Sequence, residues 1–471
     1  MTYGALRRAW RSPFEVAVAR GWLWRPVGAR SFATTGLRDV GSVRVLRDSR
    51  EVQVEWADGG TSAYHFVWLR VNCARNLHPS GQRLASPGDI PPQLYAQEAQ
   101  VTQTAPPAAA SAGARASRQA PAAPGRHSGE PEVVRVTWSD GHQSEYLSSW
   151  LRAHDPSTAV EEAVRRSWPP VLRAGEPLPK VSTESVLNGN QGVRQMLHSI
   201  NVHGLCMVDG AGVQPGMVSD LARRVGPLSH GHLYGDQFDV ISQESPRNIA
   251  YSNERLPPHM DLVYYESPPG LQFFHCLRFD ETVEGGESTC IDAFEAARVF
   301  RERQPAMFEV LSQVPATFQK IREAAATPAA GGGGSSPPLN TLAGDAAYMV
   351  YQRPHFQVDA AGELLAVNWA PPFEGTLAVP RGDVAPYYQA YSAFQALLEE
   401  GEFARENTLR LRLRPGECLV INNRRLLHGR EGFSGRGIRH LQGCYVNIDE
   451  ATSRLRSLQA AAATARRDED S

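Results

Sequence analysis

The chain is 471 residues long, 42% hydrophobic and 21% charged, with a formal net charge of −2. That length exceeds one ordinary domain and predicts two or three, and the composition is that of a globular protein. Near-neutral charge argues against a nucleic-acid-binding surface, and no apolar run approaches the roughly 20 residues of a membrane helix.

Residues 1–36 stand apart. They carry Arg7, Arg8, Arg11, Arg20, Arg25 and Arg30 against one acid, Glu15. An arginine-rich, acid-poor, amphipathic start predicts a mitochondrial transit peptide and a matrix location. In "ARSFATT", Arg30 precedes an aromatic and small hydroxyl residues, as at a matrix-protease cleavage site. A basic N-terminus without an address, on a cytoplasmic protein, is the alternative.

Residues 37–155 are predicted to form a small β-rich domain. Within it, "VEWADGGTSAYHFVWLR" (54–70) and "VTWSDGHQSEYLSSWLR" (136–152) share W-x-D-G-x-x-S-x-Y-x-x-x-W-L-R in the same spacing. Asp-Gly between β-rich flanks signals a hairpin, so each copy reads as strand, turn, strand and a short helix or turn. The Ala-, Pro- and Ser-rich segment 104–129 between the copies reads as a flexible insertion.

A larger domain is predicted over 180–452. "TESVLNGNQGVRQMLHSINVHG", "MVSDLARRVG" and "EAARVFRERQPAMFEVLSQ" have helical spacing. "LCMVDG", "GLQFFHCLRF", "STCIDAF" and the segments after Leu409 read as strands. "GGGGSS" (331–336) reads as a disordered loop, and 453–471 as a polar C-terminal tail. Many short strands flanked by helices suggest a mainly β barrel or double-sheet core. The cysteines, Cys73, Cys206, Cys276, Cys290, Cys418 and Cys444, form no C-x-x-C, which favours free thiols in a reducing compartment.

In "PPHMDLVYY", His259 and Asp261 stand two apart. On a strand such residues share a face and can reach one metal ion. His428, after the β run "ECLVI" and a turn, supplies a candidate third ligand. Two histidines and a carboxylate on one face of an octahedron leave three open positions, the arrangement of non-haem Fe(II) oxygenases. Arg439, on the following strand, is suited to grip a carboxylate bidentately. H-x-D alone is a weak signal, met by chance as a surface polar pair; with His428 and Arg439 it is stronger.

The stretches "NIAYSNERLPPHMD", "PPGLQFFHCL", "GGESTCIDAF", "NNRRLLHGR" and "RHLQGCY" resemble the γ-butyrobetaine dioxygenase and trimethyllysine dioxygenase family. These are the carnitine-synthesis members of the Fe(II)/2-oxoglutarate oxygenases, and the likeness covers nearly the whole chain after the leader. It implies a mainly β fold with flanking helices: a double-stranded β-helix (jelly roll) catalytic domain, commonly a homodimer. It implies Fe(II) on His259, Asp261 and His428, and 2-oxoglutarate on Arg439 with Ser288 as a further contact. O2 would be the oxidant and ascorbate the reductant. The reaction so implied couples oxidative decarboxylation of 2-oxoglutarate to hydroxylation of an unactivated C–H bond.

By the same likeness Tyr234, Phe238, Tyr251 and Tyr445 match an aromatic cage for a trimethylammonium group, which offers no hydrogen and is held by ring faces. Phe238 stands where the family has Trp. Asn248 matches the residue that meets the butyrobetaine carboxylate, where the trimethyllysine enzyme has an acid; this favours γ-butyrobetaine as substrate and carnitine as product. Asn368, in "AVNWAPPFEG", is a candidate second substrate asparagine. Trimethyllysine, or another small molecule on the same scaffold, is the alternative, and a non-catalytic binding paralogue has no need of an open iron site. The family's N-terminal zinc site keeps only Cys73 and His142, with His78 a candidate substitute, so zinc is expected to be lost there.

Overall fold

The computed structural model describes residues 40–78, 82–103, 132–155, 172–229, 233–241, 252–322, 346–360 and 362–469. The arginine-rich leader, the 104–129 insertion, the Gly-Ser run, Asn248 and Tyr251 lie outside them. The chain divides into two compact units, one spanning Val27–Ser167 and one from Trp168 onward.

In the first unit β1 (Val40–Leu46), β2 (Glu51–Trp56) and β3 (Thr61–His65) form one antiparallel sheet, followed by helix α1 (Phe66–Val71). Strands β4 (Ala96–Gln103), β5 (Glu132–Trp138) and β6 (Gln143–Leu147) repeat that sheet, followed by α2 (Ser148–Ala153). The repeated residues explain one another. Trp56 donates to Ser62 (2.7 Å), and Trp138 to Ser144 (2.9 Å). The tyrosines cross over: Tyr64 donates to the Leu151 carbonyl at the end of the second copy, and Tyr146 to that of Leu69 at the end of the first. Arg152 pairs with Asp58, and Arg70 with Asp140. Each copy thus satisfies the polar groups of the other around an approximate two-fold axis, as an isologous dimer does with separate chains. Trp68 and Trp150 meet at 5.5 Å between ring centroids.

The second unit runs β7 (Lys180–Ser182), α3 (Thr183–Asn188), α4 (Asn190–His203), β8 (Leu205–Asp209), α5 (Met217–Arg223), β9 (Phe238–Ile241), β10 (Leu256–His259), β11 (Leu271–Phe279), β12 (Glu284–Gly285) and β13 (Ser288–Asp292). A helical insertion follows: α6 (Ala293–Arg303), α7 (Pro305–Gln313), β14 (Pro315–Arg322), β15 (Ala347–Pro354), β16 (Phe356–Val358), β17 (Leu364–Val367), α8 (Arg381–Glu399) and α9 (Gly401–Asn407). The chain then returns through β18 (Leu409–Leu411), β19 (Cys418–Asn422), β20 (Leu426–Arg430), β21 (Phe433–Ser434) and β22 (Arg439–Val446) to α10 (Ile448–Glu469).

Two sheets make the core, with strand orders β7-β8-β19-β11-β22-β9 and β10-β20-β13-β18. Alternation along each strand sorts the side chains. Cys418 and Val420 of β19 pack with Ile200, Leu221 and Leu455 of the helices, while Leu419 and Ile421 pack with Cys290 and Leu426 of the smaller sheet. Helices on one face and a second sheet on the other give the double-sheet jelly roll with flanking helices.

Three expectations are corrected. The first predicted helix breaks at Gly189 into α3 and α4, and the third breaks at Gln304 before Pro305, which opens α7. Residues 453–469 are not a tail: they continue α10, whose Ala451, Leu455 and Leu458 are buried on one helical face. The nineteen-residue α8 had no counterpart in the sequence reading.

Candidate functional site

Strands β10 and β20 pair antiparallel, with His259 opposite His428, and their imidazole centroids lie 4.4 Å apart. Asp261 does not share the strand, contrary to the sequence expectation: β10 ends at His259, and a turn with Leu262 in the left-handed region (φ 57°) carries the aspartate. Asn423 holds that turn. Its Oδ1 accepts from the Asp261 amide (2.8 Å), and its Nδ2 donates to the carbonyls of Asp261 (3.1 Å) and Pro269 (3.0 Å).

The carboxylate then meets both rings, His259 Nε2 at 3.4 Å from Oδ1 and His428 Nε2 at 3.7 Å from Oδ2. Ligand atoms about 2.1 Å from one ion at right angles lie about 3 Å apart, so this spacing suits a single metal. Protonation suits it too. The Pro257 carbonyl, 2.9 Å from His259 Nδ1, can only accept, so the proton sits on Nδ1 and the Nε2 lone pair is free. Burial, reinforced by His259, pushes the His428 pKa down to about 3, leaving a neutral imidazole. Burial works against the Asp261 charge, but His428, His259 and the Tyr445 hydroxyl outweigh it and hold the carboxyl well below its ordinary range. Among the described residues these three form the only cluster of side chains placed to hold a metal.

The triad opens on a cavity between the sheets. Arg439 at the start of β22 lines it, 6% exposed, with Nε donating to the Gly286 carbonyl (3.0 Å) and Nη2 lying 3.5 Å from Ser288 Oγ. Gly286 has φ 77°, and a Cβ there would lie 3.2 Å from Arg439 Cδ. Burial, then Arg430, lowers the Arg439 pKa to about 10, still charged at neutral pH. Tyr234, Phe238 and Tyr445 also line the cavity. The Phe238 and Tyr445 rings stack at 5.1 Å, and Tyr234 lies 6.2 Å from Phe238.

Asn368 is not among the lining residues. It is fully buried and donates to the Pro354 carbonyl (2.9 Å). In the N-terminal unit Cys73 Sγ and His142 Nε2 are 3.3 Å apart, while among the described residues His78 joins no cluster of three metal-ligating side chains. Asn423, Gln272 and Arg430 were missed by the sequence reading, because each acts through neighbours that only the fold supplies. Arg430, two residues beyond His428 on one strand, also lines the cavity and donates to the carbonyls of Ser252 and Glu254.

A double-sheet core with two histidines and a carboxylate around a buried cavity is the frame of a non-haem dioxygenase. Residues 173–445 match the family described as taurine catabolism dioxygenase TauD, TfdA family, and this chain belongs to it. Residues 43–106 match a second model, gamma-butyrobetaine hydroxylase-like, N-terminal. Gamma-butyrobetaine dioxygenase of Pseudomonas sp. (strain AK-1) is 29% identical over 87% of this chain and 94% of its own. The human protein of the same name is 29% identical over 69% and 79%. The rat protein named trimethyllysine dioxygenase, mitochondrial, is 30% identical over 70% and 75%. Identity does not separate the two names.

Proposed function

We propose that this protein is an Fe(II)- and 2-oxoglutarate-dependent hydroxylase of γ-butyrobetaine, yielding carnitine. One observation carries the choice of substrate class: stacked aromatic faces, Phe238 on Tyr445 with Tyr234 beside them, stand in the same cavity as the triad. Ring faces attract a quaternary ammonium that no hydrogen-bond acceptor can hold.

His259 Nε2, His428 Nε2 and Asp261 would hold the iron. Bound there, iron couples O2 and the oxidative decarboxylation of 2-oxoglutarate to hydroxylation of the substrate. Arg439, charged and buried, would receive the distal carboxylate of 2-oxoglutarate, with the Ser288 hydroxyl beside it. The apolar walls, Leu256, Phe274, Leu419 and Leu441 among them, exclude water from the reacting C–H. Ascorbate would keep the iron reduced.

Hydroxylation of trimethyllysine is the second reading, supported by the 30% identity to the rat protein of that name. The same relative's mitochondrial designation and the arginine-rich residues 1–36 support a mitochondrial location. The test is succinate release from 2-oxoglutarate with Fe(II), in the presence of each quaternary amine in turn. Stimulation by γ-butyrobetaine with formation of carnitine is expected; stimulation by trimethyllysine alone would select the second reading, and by neither would overturn both.

A further inference from the structure

Asp261 Oδ2 accepts two hydrogen bonds, one from Gln272 Nε2 (2.5 Å) and one from the Tyr445 hydroxyl (2.7 Å). The two donors are direct cross-strand partners on β11 and β22, so they project from one face of the larger sheet toward one oxygen. Gln272 is 1% exposed. Its amide orientation follows from its neighbour, since a carboxylate accepts only and Nε2 must face it. Gln272 Oε1 is then left buried with no partner, an unfavourable arrangement that persists only if the donor end is worth holding.

We infer that Gln272 and Tyr445 are positioning residues that confine Asp261 to one-oxygen ligation of the metal. Oδ2 faces His428 Nε2 at 3.7 Å but is occupied by two donors, so Oδ1, 3.4 Å from His259 Nε2, is the oxygen left to bind. The count matters. Two histidines and one carboxylate oxygen leave three positions of an octahedron, enough for a chelating oxoacid and a third ligand. A carboxylate swung round to bind through both oxygens would take one of them. Tyr445 therefore has two tasks, its ring stacked on Phe238 in the aromatic wall and its hydroxyl on the ligand aspartate. The inference rests on the reading of the triad as a metal site.

The test uses Co(II) on the metal-free full-length chain, followed by its visible spectrum, with Gln272→Leu and Tyr445→Phe, each first shown to be folded by circular dichroism. Tyr445→Phe keeps the ring and removes only the donor. Each variant is expected to bind Co(II) about ten-fold more weakly. Once saturated with Co(II), each should also bind 2-oxoglutarate at least about ten-fold more weakly, because the freed oxygen competes for its position. Co(II) and 2-oxoglutarate affinities within two-fold of the parent would overturn the inference. So would weaker Co(II) binding with unchanged 2-oxoglutarate binding at metal saturation, the mark of a merely structural role. A parent chain that takes up no Co(II) would instead overturn the metal reading itself, and this one with it.

Discussion

His259 and His428 face one another as strand partners, so either imidazole can be removed without disturbing the ladder that places it. His259→Ala, Asp261→Ala and His428→Ala are each expected to abolish metal uptake and turnover while the circular dichroism spectrum is kept. Normal turnover in any of them would remove that residue from the metal site. Arg439→Ala should raise the 2-oxoglutarate requirement far more than the amine requirement, since a buried carboxylate left without its charged partner costs about 3–5 kcal/mol. A KM for 2-oxoglutarate that stays put while that for the amine rises would assign Arg439 to the substrate. Gly443 offers a test of the aromatic wall without touching an aromatic residue. A Cβ built there would stand 2.5 Å from Phe238 Cζ and 3.1 Å from the Phe273 carbonyl oxygen. Gly443→Ala must therefore push Phe238 off Tyr445, and it should raise the amine KM about ten-fold while 2-oxoglutarate-dependent metal spectra are unchanged, a loss of the size of one desolvated ring contact. An unaltered amine KM would mean that Phe238 only fills space.

At the scale of elements, helix α8 is the part of the fold with the most chemistry that the sequence did not announce. Its "RGDVAPYYQAYSAFQALLE" carries Pro386, which reads as a break, yet Tyr387, Tyr391 and Phe394 line up at helical spacing against β15–β17 and the segment after them. Tyr387 meets His355 Nε2 at 2.8 Å, and His355 Nδ1 lies 2.7 Å from the Asn368 carbonyl. Trp369 stacks on Tyr391 at 4.5 Å, and its carbonyl accepts from the Met260 amide between the two ligand candidates. Burial lowers the His355 pKa to about 4 and raises that of Glu374 to about 7. The signs oppose. Unfolded histidine holds a proton that folded His355 refuses, so its contribution to stability falls as pH drops from 6.5 toward 4. Folded Glu374 holds a proton that the unfolded chain releases, so its contribution is full below 4.5 and is lost as pH rises through 7. Between pH 7 and 5 each is worth about 2 kcal/mol, in opposite directions. Urea unfolding should show Glu374→Gln losing about 2 kcal/mol more than the parent on going from pH 7 to 5, and His355→Gln losing about that much less. Identical pH profiles in the variants and the parent would show that neither group is held off its ordinary pKa.

Across the whole molecule, local signals were legible and convergent ones were not. Turn chemistry and alternation marked β2, β3, β5 and β6 in both repeat copies, and the apolar runs marked β11, β19 and β22, because strand identity is written in neighbouring residues. The candidate ligands could be picked out singly, but their meeting depends on β10 pairing with β20, which no local pattern encodes. Gln272 and Asn423 read as ordinary polar residues in β-rich stretches until the fold brings Asp261 to them.

The N-terminal repeat shows the same division. Its shared tyrosine was visible as a spacing, whereas its partner lies in the other copy: Tyr64 donates to Leu151 (2.8 Å) and Tyr146 to Leu69 (2.6 Å). Both hydroxyls are buried and both acceptors are carbonyls in the helix of the opposite copy. Replacement by phenylalanine leaves the ring packing and removes one hydrogen bond, while the Leu151 and Leu69 carbonyls keep the amides of His154 and Asn72 as donors. Tyr64→Phe and Tyr146→Phe should therefore each lower the stability of this unit by about 1 kcal/mol, and by the same amount within error. Because the two bonds share a core but no atom, the double variant should lose about the sum. Urea titration of the full chain, followed by the fluorescence of the Trp68–Trp150 pair, would measure all three. A large loss in one single variant and none in the other would show that one copy carries the unit and the second merely leans on it, and the approximate two-fold axis would then be geometric without being energetic.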